Sequence, residues 1–149
     1  MIVWIASYPK SGNTWIRSLI SSYYFSKDRF NLSDLKKIPN FSVSDFINDS
    51  LLLQNGVDVA KQWLNVQREI NKNYKKTLFF KTHNASVAIN KNLFTDSDNT
   101  AGCIYVVRDP RNIITSYKNF EKKTYEEILN HMKNKEAFLF SENKTGFKS

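Results

Sequence analysis

The first fifteen residues constrain this chain most. An apolar run, "IVWIA" at residues 2–6, passes directly into the polar stretch "SYPKSGNTW", Ser7 to Trp15. A short continuous run of strand-favouring residues suits a strand buried on both faces. The following "TWIRSLISSYYF" then sets Trp15, Ile16, Leu19, Ile20 and Tyr23 on one helical face. Strand, loop and helix therefore follow one another with almost no slack. The loop lies against a helix N-terminus, where unpaired N–H groups and a partial positive charge attract phosphate. Gly12 lets backbone come close to an anion. Ser11, Asn13 and Thr14 can donate side-chain hydrogen bonds, Lys10 adds a mobile ammonium, and Pro9 stiffens the approach.

Two further strands are expected, at "TLFFKTH" (77–83) and "GCIYVVR" (102–108). Between the first helix and the second strand, "KKIPNFSVSDF" reads as short helices joined by turns. Ala60, Trp63, Leu64, Gln67, Ile70 and Tyr74 recur at helical spacing over 57–74, with Lys75 and Lys76 at the end where positive charge favours the helix dipole. "DPRNIITSYKNF" opens a helix with Asp109 as N-cap and Pro110 as its first residue. Thr124-x-x-Glu127 is a capping-box pattern that starts another. Buried strands alternating with helices imply an α/β fold, a three-layer arrangement with a parallel central sheet flanked by helices. Ligands in such folds sit at the carboxyl ends of strands, where all three chemically suggestive stretches fall.

The chain has 149 residues, enough for one domain with a core and short for two. Its net charge of +8, from 22 Lys+Arg against 14 Asp+Glu, suits an anionic partner, although Lys and Asn are plentiful throughout. The basic residues are dispersed and match no nucleic-acid-binding module, so no nucleic acid partner is expected. Cys103 is the only cysteine, which precludes an intrachain disulfide, and its setting in "CIYVV" reads as a buried thiol. No signal peptide and no membrane span is apparent, so the expectation is a cytoplasmic protein.

The loop is not the ATP-binding Walker pattern G-x-x-x-x-G-K-[ST], because its order is Lys10-Ser11-Gly12. "YPKSGNTW" instead closely resembles the 5′-phosphosulfate loop of the sulfotransferases that use 3′-phosphoadenylyl sulfate (PAPS). Their usual form is YPKSGTTW, and only Asn13 departs from it. The resemblance makes the fold P-loop-like and implies two further pieces. "FFKTHN" matches a K-T-H pattern through Lys81 and His83, while Asn84 and Ala85 depart from the Leu-Pro that often follows. "VVRDPRNIITSY" supplies Arg108 and, eight residues on, Ser116, the spacing at which the family holds the nucleotide's 3′-phosphate. Arg suits phosphate because its planar fork donates two bonds at once. His131 lies in a charged helix and reads as surface, and Arg111 as a surface or cap residue.

The resemblance implies catalytic roles for His83 as general base, Lys10 as stabiliser of the departing phosphate, and Lys81 beside the sulfuryl group. Ser11, Gly12, Asn13 and Thr14 would cradle the 5′ side, and Arg108 with Ser116 the 3′-phosphate. Trp15 would either stack on adenine or serve as a buried helix residue. PAPS is then the co-substrate and adenosine 3′,5′-bisphosphate (PAP) the product, with no metal required. The partner would be a small-molecule or glycan acceptor bearing a hydroxyl or amine, and an oligomer is open. Tyr23, Tyr24, Phe25, Phe41 and Phe46 read as core, with an acceptor pocket as the other reading. The family's later R-K-G loop has no copy here, and the polar tail after Phe140 reads as a ragged end. A single, C-terminally incomplete domain over 1–149 is therefore expected, with strand edges left exposed. A nucleotide-binding remnant and a small nucleotide kinase remain alternatives.

Overall fold

The computed structural model describes residues 1–26, 31–47, 53 and 55–134. Strand β1 runs Ile2–Ser7 and is followed by helix α1, Asn13–Phe25. Short 3₁₀ helices at Leu32–Lys37 and Val43–Asp45 lead to the long helix α2, Gly56–Asn73. Strand β2, Leu78–Thr82, precedes a small hairpin of β3, Ala88–Ile89, and β4, Asn92–Leu93. Strand β5, Thr100–Val106, then feeds helices α3, Pro110–Glu121, and α4, Tyr125–Lys133.

Three strands form one parallel sheet in the order β2-β1-β5. β1 is central and buried on both faces, with Ile2, Trp4 and Ile5 each at most 2% exposed. On one face Ile2, Trp4 and Phe80 pack with Phe41, Phe94 and the α2 residues Val59, Ala60, Trp63, Val66 and Ile70. On the other, Tyr24 of α1 meets Phe79 with ring centroids 5.4 Å apart. Helices on both faces of a parallel sheet make the expected α/β architecture. Gln67 is fully buried within the α2 layer and satisfied there: its Nε2 donates to the Phe94 carbonyl and its Oε1 accepts from Thr95. No helix among the described residues is long and apolar enough to cross a membrane.

Three expectations need correction. Cys103 is exposed, because β5 is an edge strand of the sheet and α2 covers the β1–β2 side. Ile104, Tyr105 and Val107 are open with it, at 40, 65 and 74% exposure. The apolar positions of α1 do not all turn inward: Trp15, Leu19 and Tyr23 are exposed, while Asn13 and Ser21 are buried. The helix docks through polar groups instead, Asn13 to β1 and Arg17 to the carbonyls of Leu35 and Ile38. Among the aromatics read as core, Phe41 is buried whereas Tyr23, Tyr24 and Phe46 are exposed. The β3–β4 hairpin was not foreseen; its two-residue turn places Asn90 and Lys91 at φ 46° and 66°, a conformation usually signalled by glycine. The polar tail after Phe140 lies outside the described residues.

Candidate functional site at the carboxyl end of the sheet

A cavity of about 640 Å³ opens above the carboxyl ends of β1, β2 and β5. Its wall includes Lys10 and Gly12 from the first loop, Asn13, Thr14 and Trp15 from the start of α1, Lys81 and His83 from the end of β2, and Arg108 and Ser116 beyond β5. Three stretches far apart in sequence are thus brought to one place. Ser11 is not on the wall; it is 7% exposed, and its Oγ has no partner among the described residues.

The loop geometry follows from its residues. Gly12 adopts φ 103°, a left-handed conformation that strains any residue with a Cβ, yet nothing lies within 4 Å of where a Cβ would stand. Backbone demand thus explains the glycine, and the space before it is open to a ligand. α1 begins with no side-chain cap and no acidic residue in its first turn. Neither the cap nor the first turn therefore supplies an anion to its leading N–H groups and positive dipole end. Arg108 Nη1 donates to the Lys10 carbonyl at 3.2 Å, tying the loop to the far strand. The Lys10 ammonium rests 4.1 Å from the centre of the Phe120 ring, a cation–π contact.

Asn13 does not present its amide to the cavity as expected. Its Nδ2 donates to the Ile5 carbonyl at 2.8 Å and to Ser7 Oγ at 3.1 Å. Ser7 in turn supports the histidine. His83 Nδ1 lies 2.7 Å from the Ser7 carbonyl and 3.3 Å from its Oγ. A carbonyl can only accept, so Nδ1 carries the proton and Nε2 is left as the acceptor. Burial chiefly, with the positive charge of Lys81 next, pushes the imidazole down to about 4, against the raising effect of the Ser7 carbonyl. His83 is consequently neutral at pH 7, in the tautomer a base at Nε2 requires.

Lys81 is only 8% exposed and makes no ion pair or side-chain hydrogen bond among the described residues. Burial, then the nearby charges of Arg17 and Lys10, lower its ammonium to about 8. A buried cation beside two others is costly unless an anion compensates it. Arg108 and Trp15 are exposed, Trp15 at 69%, which removes the buried-helix reading of the tryptophan.

Sequence reasoning missed one wall. α3, α4 and the turn between them contribute Tyr117, Phe120, Glu121, Lys123, Ile128 and His131. His131, read as surface, instead lines the cavity and meets the Tyr117 ring edge-on at 5.8 Å. The Thr124–Glu127 capping box and the left-handed Lys122 that ends α3 fold α4 back to make that contact possible. Phe120 could have been found from Ser116, since the two are one helical turn apart. Arg111 pairs with the Asp109 carboxylate, and Asp109 caps α3 by accepting from the Arg111 N–H. Among the described residues no three His, Cys, Asp or Glu side chains form a group that could hold a metal.

No curated protein matches the chain significantly. The family model described as the sulfotransferase domain matches residues 2–147, a span that includes the loop, both β2-end residues and the Arg108–Ser116 pair. The chain belongs to the sulfotransferase domain family.

Proposed function

We propose that this chain moves a sulfuryl group from PAPS to an acceptor hydroxyl or amine, with His83 as general base. The observation that carries the reading is the convergence of Lys10, Lys81, His83, Arg108 and Ser116 on one cavity at the strand ends. The uncapped start of α1 and the Lys81 ammonium, unpaired among the described residues, fit a polyanionic nucleotide. PAPS, when bound, supplies a sulfuryl group already activated by a phosphate leaving group.

The chain's own residues then have separable tasks. Ser11, Gly12, Asn13 and Thr14 offer loop and helix N–H groups to the 5′ phosphate, while Lys10 would leave Phe120 to counter charge growing there. Lys81 holds the transferring group's oxygens and faces the adjoining 5′-phosphate, which PAP retains. Arg108 and Ser116 grip the 3′-phosphate, and the exposed Trp15 ring gives adenine a stacking face, an interaction worth about 1–3 kcal/mol. His83 Nε2 takes the acceptor proton, a role typically worth about 10²–10⁴-fold in rate. A second reading, nucleotide binding without transfer, is favoured by the low basicity of His83 in the unliganded chain.

The deciding experiment is calorimetric titration with PAP without magnesium, beside Lys10→Ala, Arg108→Ala and an ATP control. PAP should bind without metal, and each variant should weaken it about 10–100-fold, the scale of a charge-assisted bond. A folded protein that does not bind PAP, or that prefers ATP with magnesium, overturns the reading. His83→Gln should keep PAP binding and lose about 10²–10⁴-fold of PAPS-dependent transfer. Binding with no transfer by the unaltered chain to any hydroxyl or amine acceptor would leave the second reading.

A further inference from the structure

Arg17 has no place in the cavity wall, yet it carries an unexplained charge. It sits one turn beyond Asn13 on α1, half-buried, and none of the described carboxylates pairs with it. Its Nη2 donates to the carbonyls of Leu35 at 3.0 Å and Ile38 at 2.6 Å, at the end of the Leu32–Lys37 helix. Its Nε is buried without a partner among the described residues. Capping two carbonyls does not require a cation. A neutral amide could do it without the cost of desolvating a guanidinium.

The chain just past those carbonyls brackets Lys81. The Lys81 N–H donates to the Pro39 carbonyl at 2.9 Å, and the Phe41 N–H donates to the Lys81 carbonyl at 2.8 Å. Residues 39–41 thus run along the outer edge of β2 and fix its backbone at one position, Lys81. Arg17 grips this segment at Ile38, immediately before it. A lysine with no acid partner among the described residues would gain hydration by turning outward, so its burial has to be enforced by its surroundings.

We propose that Arg17 is a positioning residue for Lys81: its grip on the Leu35 and Ile38 carbonyls clamps the 38–41 segment against β2 and keeps the Lys81 ammonium in the cavity. The proposal rests on reading the cavity as the PAPS site. In the unliganded chain the clamp opposes stability, because it holds two cations near one another. Both charges become favourable once a phosphosulfate lies between the strand ends. Arg17 also contributes to the lowered titration of Lys81 and, as the smallest of the causes there, to that of His83, as a nearby guanidinium should.

The test is a double-mutant cycle of Arg17→Met and Lys81→Met, read by PAP calorimetry, with ¹³C NMR titration of the lysine ε-carbons in the ligand-free protein. Arg17→Met should weaken PAP about 5–50-fold in the Lys81 protein and less than about twofold in the Lys81→Met background. The Lys81 midpoint should rise from about 8 towards the ordinary 10.5. Arg17→Lys, which keeps charge without the fork, should weaken PAP less than Arg17→Met and with the same dependence on Lys81. It carries the cycle alone should Arg17→Met fail to fold. Equal loss in both Lys81 backgrounds, or an unmoved Lys81 midpoint, overturns the proposal. If the unaltered chain does not bind PAP, the PAPS reading falls, while the Lys81 titration in Arg17→Lys, which leaves the charge in place, still decides whether Arg17 positions it: a midpoint that rises supports the clamp, and one that stays near 8 shows only the loss of a neighbouring charge in Arg17→Met.

Discussion

Single residues in this cavity are set against the stability of the unliganded chain. Lys81 shows it most plainly. Its folded midpoint, about 8, lies below the ordinary 10.5, so the unfolded state binds more protons between those values. Stability therefore rises with pH across that window, and below it the charged amine is a standing penalty. Lys81→Met should raise the stability of the ligand-free protein by about 1–2 kcal/mol in denaturant titration at pH 7 while weakening PAP. A loss of stability would mean that the ammonium has a compensating partner. His83 obeys the same sign: its midpoint of about 4 lies below the ordinary 6.5, so stability falls as pH drops from 6.5 through 4. The same shift bears on catalysis, because so weak a base is poorly matched to neutral pH. A bound polyanion beside Lys81 should cancel part of the positive field and raise the His83 midpoint by about one unit or more, visible in ¹H–¹⁵N imidazole spectra with and without PAP. An unmoved midpoint would place the nucleotide's charge away from the histidine.

At the scale of elements, much of the arrangement could be read from the chain. The strand–loop–helix start, the Asp109-Pro110 helix start and the Thr124–Glu127 box are short-range patterns, each with a local cause. What escaped reading depends on partners distant in sequence. The exposure of β5 follows from its place at the sheet edge, which no period in "GCIYVV" encodes. The docking of α1 through Asn13, Arg17 and Ser21 runs against its hydrophobic pattern, because the loop before it fixes which side meets the sheet. The α3–α4 wall needed the turn at Lys122, a left-handed residue that sequence offers no glycine to announce. That wall gives an element-scale prediction. Thr124→Ala removes the hydroxyl that accepts from the Glu127 N–H and should cost about 1 kcal/mol, or about 3–5 °C in Tm. Loosening α4 should also shift the His131 ring resonances, since the Tyr117 contact depends on its docking, whereas the Lys81 titration should stay put.

The whole molecule combines a cavity that gathers cations with a sheet that leaves one side open. The net charge of +8 keeps copies apart at low salt and draws anions in, so PAP affinity should fall as salt rises. The same screening removes the repulsion that protects the sheet edge. Among the described residues nothing pairs with the outer side of β5, and Cys103, Ile104, Tyr105 and Val107 are exposed along it. An apolar edge with free N–H and C=O groups is a template for another strand. The chain should therefore self-associate with concentration in sedimentation velocity at physiological salt, and less so at low salt. A reductant must be present, so that a Cys103 disulfide does not imitate strand pairing. Ile104→Lys puts charge on that edge without touching the cavity wall, and it should shift the protein towards monomer with PAP binding intact. A chain that stays monomeric at all concentrations would show that the β5 edge is protected in solution. Association that persists unchanged in Ile104→Lys would move attention to the other exposed apolar run, the Trp15–Leu19–Tyr23 face of α1. That face starts at the cavity, so pairing through it, unlike pairing through β5, should be reversed by PAP.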